Sequence, residues 1–170
     1  MKERTLEIVK AGRRILIRPM RAEDTEAVAA LEAAVFSQPW SHRDFLEMVE
    51  KENTLYIVAV DEERIVGCCG VWNICGDGNI SNVLVEEKLR CQGIGRLLLQ
   101  TLVAWGEELG ITAYTLEVRL SNASAIHLYE SLGFERAGIR PRFYKKPEED
   151  ALIMWKRQAA DGQITIPNVL

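Results

Sequence analysis

The chain has 170 residues, of which 48% are hydrophobic and 27% charged, enough apolar material for one compact domain with a real core. Its formal net charge of -4 and pI of about 5.4 disfavour broad nucleic-acid binding, which needs a basic face. No apolar run is long enough to span a membrane, and the charged start Met1-Lys2-Glu3-Arg4 lacks the apolar core of a secretion signal.

Residues 14–20 alternate and stop at Pro19, which predicts a first strand. Residues 22–36 are rich in Ala and Glu and predict a helix. Pro39 breaks it, because proline cannot occupy a helix interior and pushes the residue before it out of the helical region. Ser41 reads as the N-cap of a second helix to about residue 51, with Asp44 at the capping-box position. Residues 54–60 and 65–73 predict two paired strands joined by the polar turn Asp61-Glu62-Glu63-Arg64. The second carries Cys68 and Cys69, which as strand neighbours face opposite ways. With Cys75 and Cys91 they lack zinc-type spacing, so no metal and a reducing, cytoplasmic setting are expected.

The stretch from Asn79 to Leu99 organises the rest. Ile80, Val83, Leu84 and Val85 read as a strand, and Ile94, Leu97, Leu98, Leu102 and Trp105 recur at helical spacing. Between them lie Arg90, Cys91, Gln92, Gly93, Ile94, Gly95 and Arg96. Glycines let the backbone approach a ligand closely, and the first amides of a helix lack internal partners. With two arginines, this arrangement points to a phosphate site. A helix start that uses glycines only for tight packing is the alternative. Gly95-Arg96-Leu97 lacks the Lys-Ser/Thr ending of a P-loop, and Leu98 stands where a dinucleotide fingerprint needs its third glycine.

The helix is expected to run to about Leu109, with Gly110 as its stop. Residues 112–119 predict the next strand, parallel to the one before the helix because a helix connects them. One face carries Leu116 and Val118, and the other carries Thr115, Glu117 and Arg119. A polar face at the C-terminal end of a parallel strand is unusual and marks where ligands gather. Glu117 is therefore either a general base or a carboxylate paired with Arg119 or another cation. A short helix follows, capped by Ser121 or Asn122 and ended by Gly133. Its Tyr129 is either a core aromatic or a hydroxyl placed at the chemistry. His42 and His127 appear without partners, and Glu130 reads as a solvated charge. Residues 134–144 and 151–155 predict a final strand pair joined by a polar connection over 145–150.

The segment Arg90-Cys91-Gln92-Gly93-Ile94-Gly95 resembles the pyrophosphate loop of the GNAT acyltransferase superfamily. Leu116-Glu117-Val118-Arg119, Ser121-Asn122 and Leu128-Tyr129-Glu130-Ser131-Leu132-Gly133-Phe134, with Pro39-Trp40-Ser41 and Arg140-Pro141-Arg142-Phe143-Tyr144, are similar to the bacterial ribosomal-protein-alanine N-acetyltransferase family within it. The similarity covers residues 15–155. It implies an α/β (α+β) GNAT fold: a mixed, mostly antiparallel sheet with a parallel pair at its centre and helices on both faces. It implies one domain over residues 1–157 and a C-terminal tail over 158–170. It also implies acetyl-CoA as co-substrate, with Glu117 as base and Tyr129 as acid. Val83, Leu84, Val85, Arg90, Cys91, Gln92, Gly93, Ile94, Gly95, Arg96 and Asn122 would bind the cofactor, and Trp40 and Tyr144 the substrate. The partner implied is the N-terminal peptide of a ribosomal protein of the small-subunit S18 type, bound by a monomer or weak dimer with no metal, nucleic acid or membrane.

Two positions depart from that family. Cys91 stands where a basic residue is common, and Phe143 where a tyrosine pair often occurs. A GNAT enzyme acting on a lysine side chain or small amine shares the same cofactor half, and Pro39-Trp40 and Phe143-Tyr144 argue against it. An acyl-CoA-binding module without activity needs neither Glu117 nor Tyr129.

Overall fold

The computed structural model describes residues 4–157. The apolar alternation of the strands builds β1 (Leu6–Lys10), β2 (Arg13–Pro19), β3 (Thr54–Asp61), β4 (Arg64–Ile74), β5 (Asp77–Val85), β6 (Ala113–Arg119), β7 (Glu135–Lys145) and β8 (Glu148–Arg157). They form one sheet in the order β1-β2-β3-β4-β5-β6-β8-β7. Neighbours are antiparallel except β5 and β6, which are parallel because α3 (Ile94–Glu107) connects them. The remaining helices are α1 (Thr25–Val35), α2 (His42–Val49) and α4 (Ala123–Ser131). Among the described residues no helix is long and apolar enough to cross a membrane.

Strand alternation divides the core in two. Leu55, Ile57 and Ala59 of β3 pack under α3 and α4, with Leu98, Leu102, Ile126 and Tyr129. Tyr56 and Val58, one residue out of phase, pack under α1 and α2 with Val28, Phe45 and Met48. Cys69 and Cys68 divide the same way, so the two thiols do face opposite sides of the sheet.

Three departures from expectation have local causes. β1 was not foreseen; it pairs with β2 through a turn at Ala11 and Gly12, both at positive φ. The helix expected from residue 22 opens with a 3-10 turn, Ala22–Asp24, before α1. Buried Asp24 turns back there to accept the Arg21 amide at 2.7 Å and both Arg18 guanidinium nitrogens at 2.6 and 2.9 Å. The connection expected over 145–150 shrinks to a tight turn, because β8 begins at Glu148, opposite Lys145. The tail expected over 158–170 lies outside the described residues.

The feature that creates an opening lies between β5 and β6. They pair over only three positions, Asp77 with Ala113, Gly78 with Tyr114 and Asn79 with Thr115. The approach there is close: a Cβ on Gly78 would stand 2.8 Å from Ile111 and 2.9 Å from Val71. Beyond it β5 carries a bulge. Val71 pairs with Ile80 and Gly70 with Asn82, which leaves Ser81 as an extra residue. A bulge bends and twists its strand, and here β5 leaves β6. The bulge is pinned from two strands away. The Tyr56 ring crosses the face of Gly70, where a Cβ would come within 2.1 Å of it. Its hydroxyl then meets Ser81 Oγ at 2.7 Å and donates to Asn82 Oδ1 at 3.2 Å.

Gly70→Ala is therefore expected to displace the Tyr56 ring and lower stability by about 2–3 kcal/mol. Gly138→Ala, whose added methyl meets nothing within 4 Å, serves as the control with little change. Urea denaturation of both variants checks this.

Candidate active site

The splay leaves main-chain groups without partners. Glu86 donates its amide to Val66 on β4, so by alternation Leu84 also bonds toward β4, while Val83 and Val85 point their N–H and C=O groups into the opening. Arg90 Nε donates to the Val85 carbonyl at 3.2 Å. The N–H groups of Val83 and Val85 and the Val83 carbonyl face the opening, spaced to bond an extended amide-bearing chain as a missing strand would. Of the three β5 residues expected to bind cofactor, Leu84 turns its side chain to the α1–α2 core.

Beyond β5 the chain enters α3 through Gly93, an N-cap at φ 84°, preceded by Cys91 at φ 59°. Two left-handed residues two apart curl successive amides toward one point, the geometry that receives anions. Among the described residues no hydrogen bond reaches the amides of residues 91–96. Arg96 donates to Ser131 Oγ at 2.8 Å, and neither Arg90 nor Arg96 has an ion-pair partner among the described residues. A loop of free donors with uncompensated positive charge fits a diphosphate. Cys91 and Cys75 are both exposed. Asn122 Oδ1 caps α4 by accepting the Ala125 amide at 3.1 Å, which leaves its NH2 group free to donate to a ligand.

The two candidate proton-handling groups flank the opening from opposite faces of the sheet. Leu116 and Val118 of β6 lie in the α3–α4 core, which turns Glu117 to the α1–α2 side. There Glu117 Oε1 pairs with Arg140 Nη1 at 3.1 Å; the partner is Arg140 of β7, not Arg119. Arg140 is half-exposed and Glu117 largely buried, so the guanidinium can turn to water once another cation takes its place beside the carboxylate. Tyr129 is buried on the other face against Phe134, ring centroids 5.8 Å apart. Burial pushes its hydroxyl far above the ordinary tyrosine range, with Tyr144 and Cys69 adding to the shift. No hydrogen bond engages that hydroxyl among the described residues, so it remains a protonated donor. Burial also raises Tyr144, to about 12, with Arg119 opposing and Glu117 and Glu149 adding to the shift.

Three residues hold the side of the sheet that faces α1 and α2: Arg119, which the sequence placed only on the polar face of β6, and Ser37 and Glu32, to which it gave no site role. Arg119 stacks on Tyr144 at 4.2 Å, pairs with Glu149 at 3.1 Å and donates to the carbonyls of Lys146 and Pro147 at 3.1 and 3.0 Å. It thereby ties the tip of the β7–β8 hairpin to β6. Ser37, on the loop between α1 and α2, donates its hydroxyl to the Lys146 carbonyl, so a strap joins the two loops. Glu32 is buried, accepting the Trp40 amide and the Asn82 side chain at 2.9 Å each. Trp40 then rests on Phe45 at 5.4 Å. Two minor expectations also change: His42 meets Thr25 Oγ1 at 2.9 Å, and Glu130 pairs with Arg136 at 2.7 Å.

The family model described as the acetyltransferase (GNAT) family matches residues 25–134. The chain is 36% identical over 140 residues to a putative [ribosomal protein bS18]-alanine N-acetyltransferase of Bacillus subtilis, covering 82% of this chain and 93% of that protein. It is 34% identical over 133 residues to the [ribosomal protein bS18]-alanine N-acetyltransferase of Salmonella typhimurium, covering 77% and 89%. The crystal structure of the Escherichia coli ribosomal-protein-S18-alanine N-acetyltransferase superposes with a TM-score of 0.78 at 30% identity, covering 89% of this chain and 99% of that one.

Glu32→Ala leaves the Trp40 amide and Asn82 without their acceptor and is expected to cost about 2–3 kcal/mol. Glu32→Gln, which keeps an acceptor, should cost less. Burial raises Glu32 above the ordinary carboxylate range, against the two hydrogen bonds that lower it. The folded protein therefore binds more protons than the unfolded chain above the ordinary pKa, and that contribution to stability falls as pH rises. The advantage of wild type over Glu32→Gln should be larger at pH 4 than at pH 7, measured by urea denaturation at both.

Proposed function

The chain belongs to the GNAT acetyltransferase family, and on that premise we propose that it acetylates the α-amine of the N-terminal alanine of ribosomal protein bS18, with acetyl-CoA as donor. The strap between Ser37 and Lys146 carries the substrate reading. A lysine side chain projects from a polypeptide that continues in both directions, and a bridged groove obstructs such a chain. A chain end would need no passage out on the far side. The relatives named for this substrate align over most of their length, which supports the same choice. The reading takes residues 1–157 as one catalytic domain acting in the cytoplasm; the four free cysteines fit a reducing compartment.

The residues of the opening fit the donor. The amides of 91–96 with Arg90 and Arg96 would hold its diphosphate, and the gap-facing groups of Val83 and Val85 its amide arm. Bound acetyl-CoA supplies an acyl thioester. The Val85 N–H donates to the acyl oxygen as negative charge grows there. Glu117 takes the proton of the α-ammonium, whose reference pKa of about 7.7–8.0 puts it within reach of a carboxylate acting directly or through water. The incoming ammonium competes with Arg140 for that carboxylate. The freed amine attacks the acyl carbon, and the C–N bond forms as the C–S bond breaks; Tyr129, kept protonated by burial, donates a hydrogen bond to the departing thiolate, which takes up the second proton shed by the nitrogen. As a weaker acid than a thiol, its main contribution is that bond. Trp40 and Tyr144 line the path of the acceptor peptide. No enzyme side chain is acylated, so positioning supplies much of the rate.

Purified protein with acetyl-CoA should acetylate an alanine-starting peptide at its α-amine, as located by fragmentation mass spectrometry. Label confined to lysine side chains would overturn the substrate reading. Glu117→Gln should lower kcat/KM at pH 7 by about 10²-fold, with the deficit shrinking toward pH 9 as the amine deprotonates unaided. A deficit that does not change with pH would make Glu117 only the partner of Arg140. Tyr129→Phe should lower kcat by about 10–100-fold without a pH-dependent recovery, read from steady-state rates.

A further inference from the structure

We propose that Lys10, at the end of edge strand β1, is a third cationic contact for the cofactor's diphosphate, reaching the glycine loop from across α3. The proposal rests on the acetyl-CoA reading above. The turn at Ala11 and Gly12, both at positive φ, fixes Lys10 as the last paired residue of β1, opposite Arg13. Ile8, two residues earlier and so on the same face, is buried under α3. Lys10 therefore projects on the α3 side, and its Nζ lies 3.6 Å from the point a Gly93 Cβ would occupy.

The segment leading into β1 is anchored at the far end of the same helix. Arg4 pairs with Glu108, next to the last residue of α3, and stacks over Trp105 at 5.9 Å. Extended chain from Arg4 to Lys10 spans about 20 Å, and the helix from Gly93 to Glu108 about 22 Å. The first strand thus lies along the whole helix and delivers one cation to each end.

Electrostatics gives the two ends opposite meanings. Arg4 at the C-terminus of α3 complements the helix dipole. Lys10 stands at the N-terminus, where the dipole is positive and Arg90 and Arg96 are already nearby. Lys10 has no ion-pair partner among the described residues. In the free protein this placement is unfavourable, and an anion at the loop reverses its sign.

Titration calorimetry on the full chain tests this with wild type, Lys10→Gln and Lys10→Arg. The ligands are acetyl-CoA and S-acetylpantetheine, which lacks the diphosphate. For acetyl-CoA, Lys10→Gln should weaken binding about three- to tenfold, with the difference shrinking at high salt, and Lys10→Arg should stay within about twofold of wild type. S-acetylpantetheine should not distinguish the three. The free Lys10→Gln protein should melt about 1–3 °C higher than wild type, since a repulsion at the helix start is relieved. Equal acetyl-CoA affinity in Lys10→Gln and wild type overturns the proposal alone. So does a variant that melts lower and loses both ligands equally, which marks a structural lysine. Wild type that binds no acetyl-CoA overturns the donor reading itself.

Discussion

Everything at the centre of the molecule depends on β5 being one residue too long for its partner. The extra residue, Ser81, bends the strand away from β6 after three paired positions. The bend is held by distant groups: Tyr56 reaches over Gly70 to Ser81 and Asn82, and Asn82 in turn donates to Glu32. A buried polar chain is costly unless every member is satisfied. Here each is bonded, so the unpaired edge of β5 is maintained as a rigid feature of the fold.

A slit through a sheet has two sides, and the proposed mechanism draws on both. Glu117 faces the side of α1 and α2, and Tyr129 comes from the side of α3 and α4. In the proposed reaction the donor would enter along the main chain between the strands and the acceptor over Trp40, so that the proton would leave the nucleophile on one face and the sulfur be met from the other. The strand alternation that divides the core also divides these roles.

Some of this was legible in the sequence because its causes are local. Ser41 and Asp44 form the reciprocal cap their spacing implies, with the Ser41 amide on Asp44 at 2.7 Å. The alternation of β6 identified Glu117 and Arg119 as one polar face, and the glycines and arginines marked out the turn between β5 and α3 whose amides carry no bonds among the described residues. The rest depends on residues far apart in the chain. The bulge at Ser81 is held by Tyr56, two strands away, whose ring needs the absence of a side chain on Gly70 of the neighbouring strand. The partner of Glu117 lies 23 positions later, on a strand whose register carries shifts. Glu32 did leave a trace: with Thr25 and Val28 it falls on the buried stripe of α1, where a carboxylate needs a reason. β1 was masked by the charges around it, and only its last residue, Lys10, reaches the loop.

The division of the core into two clusters has a consequence for how such a chain can change. The helices that shape the acceptor side rest on Tyr56, Val58, Cys68 and Leu84, while those that shape the donor side rest on the opposite strand faces. Substitutions that recontour the ground around Trp40 leave the packing beneath the glycine loop untouched. Selection can therefore rewrite what is acetylated without renegotiating how the acetyl group is carried, and laboratory evolution of new acceptors should concentrate its libraries on α1, α2 and the hairpin tip.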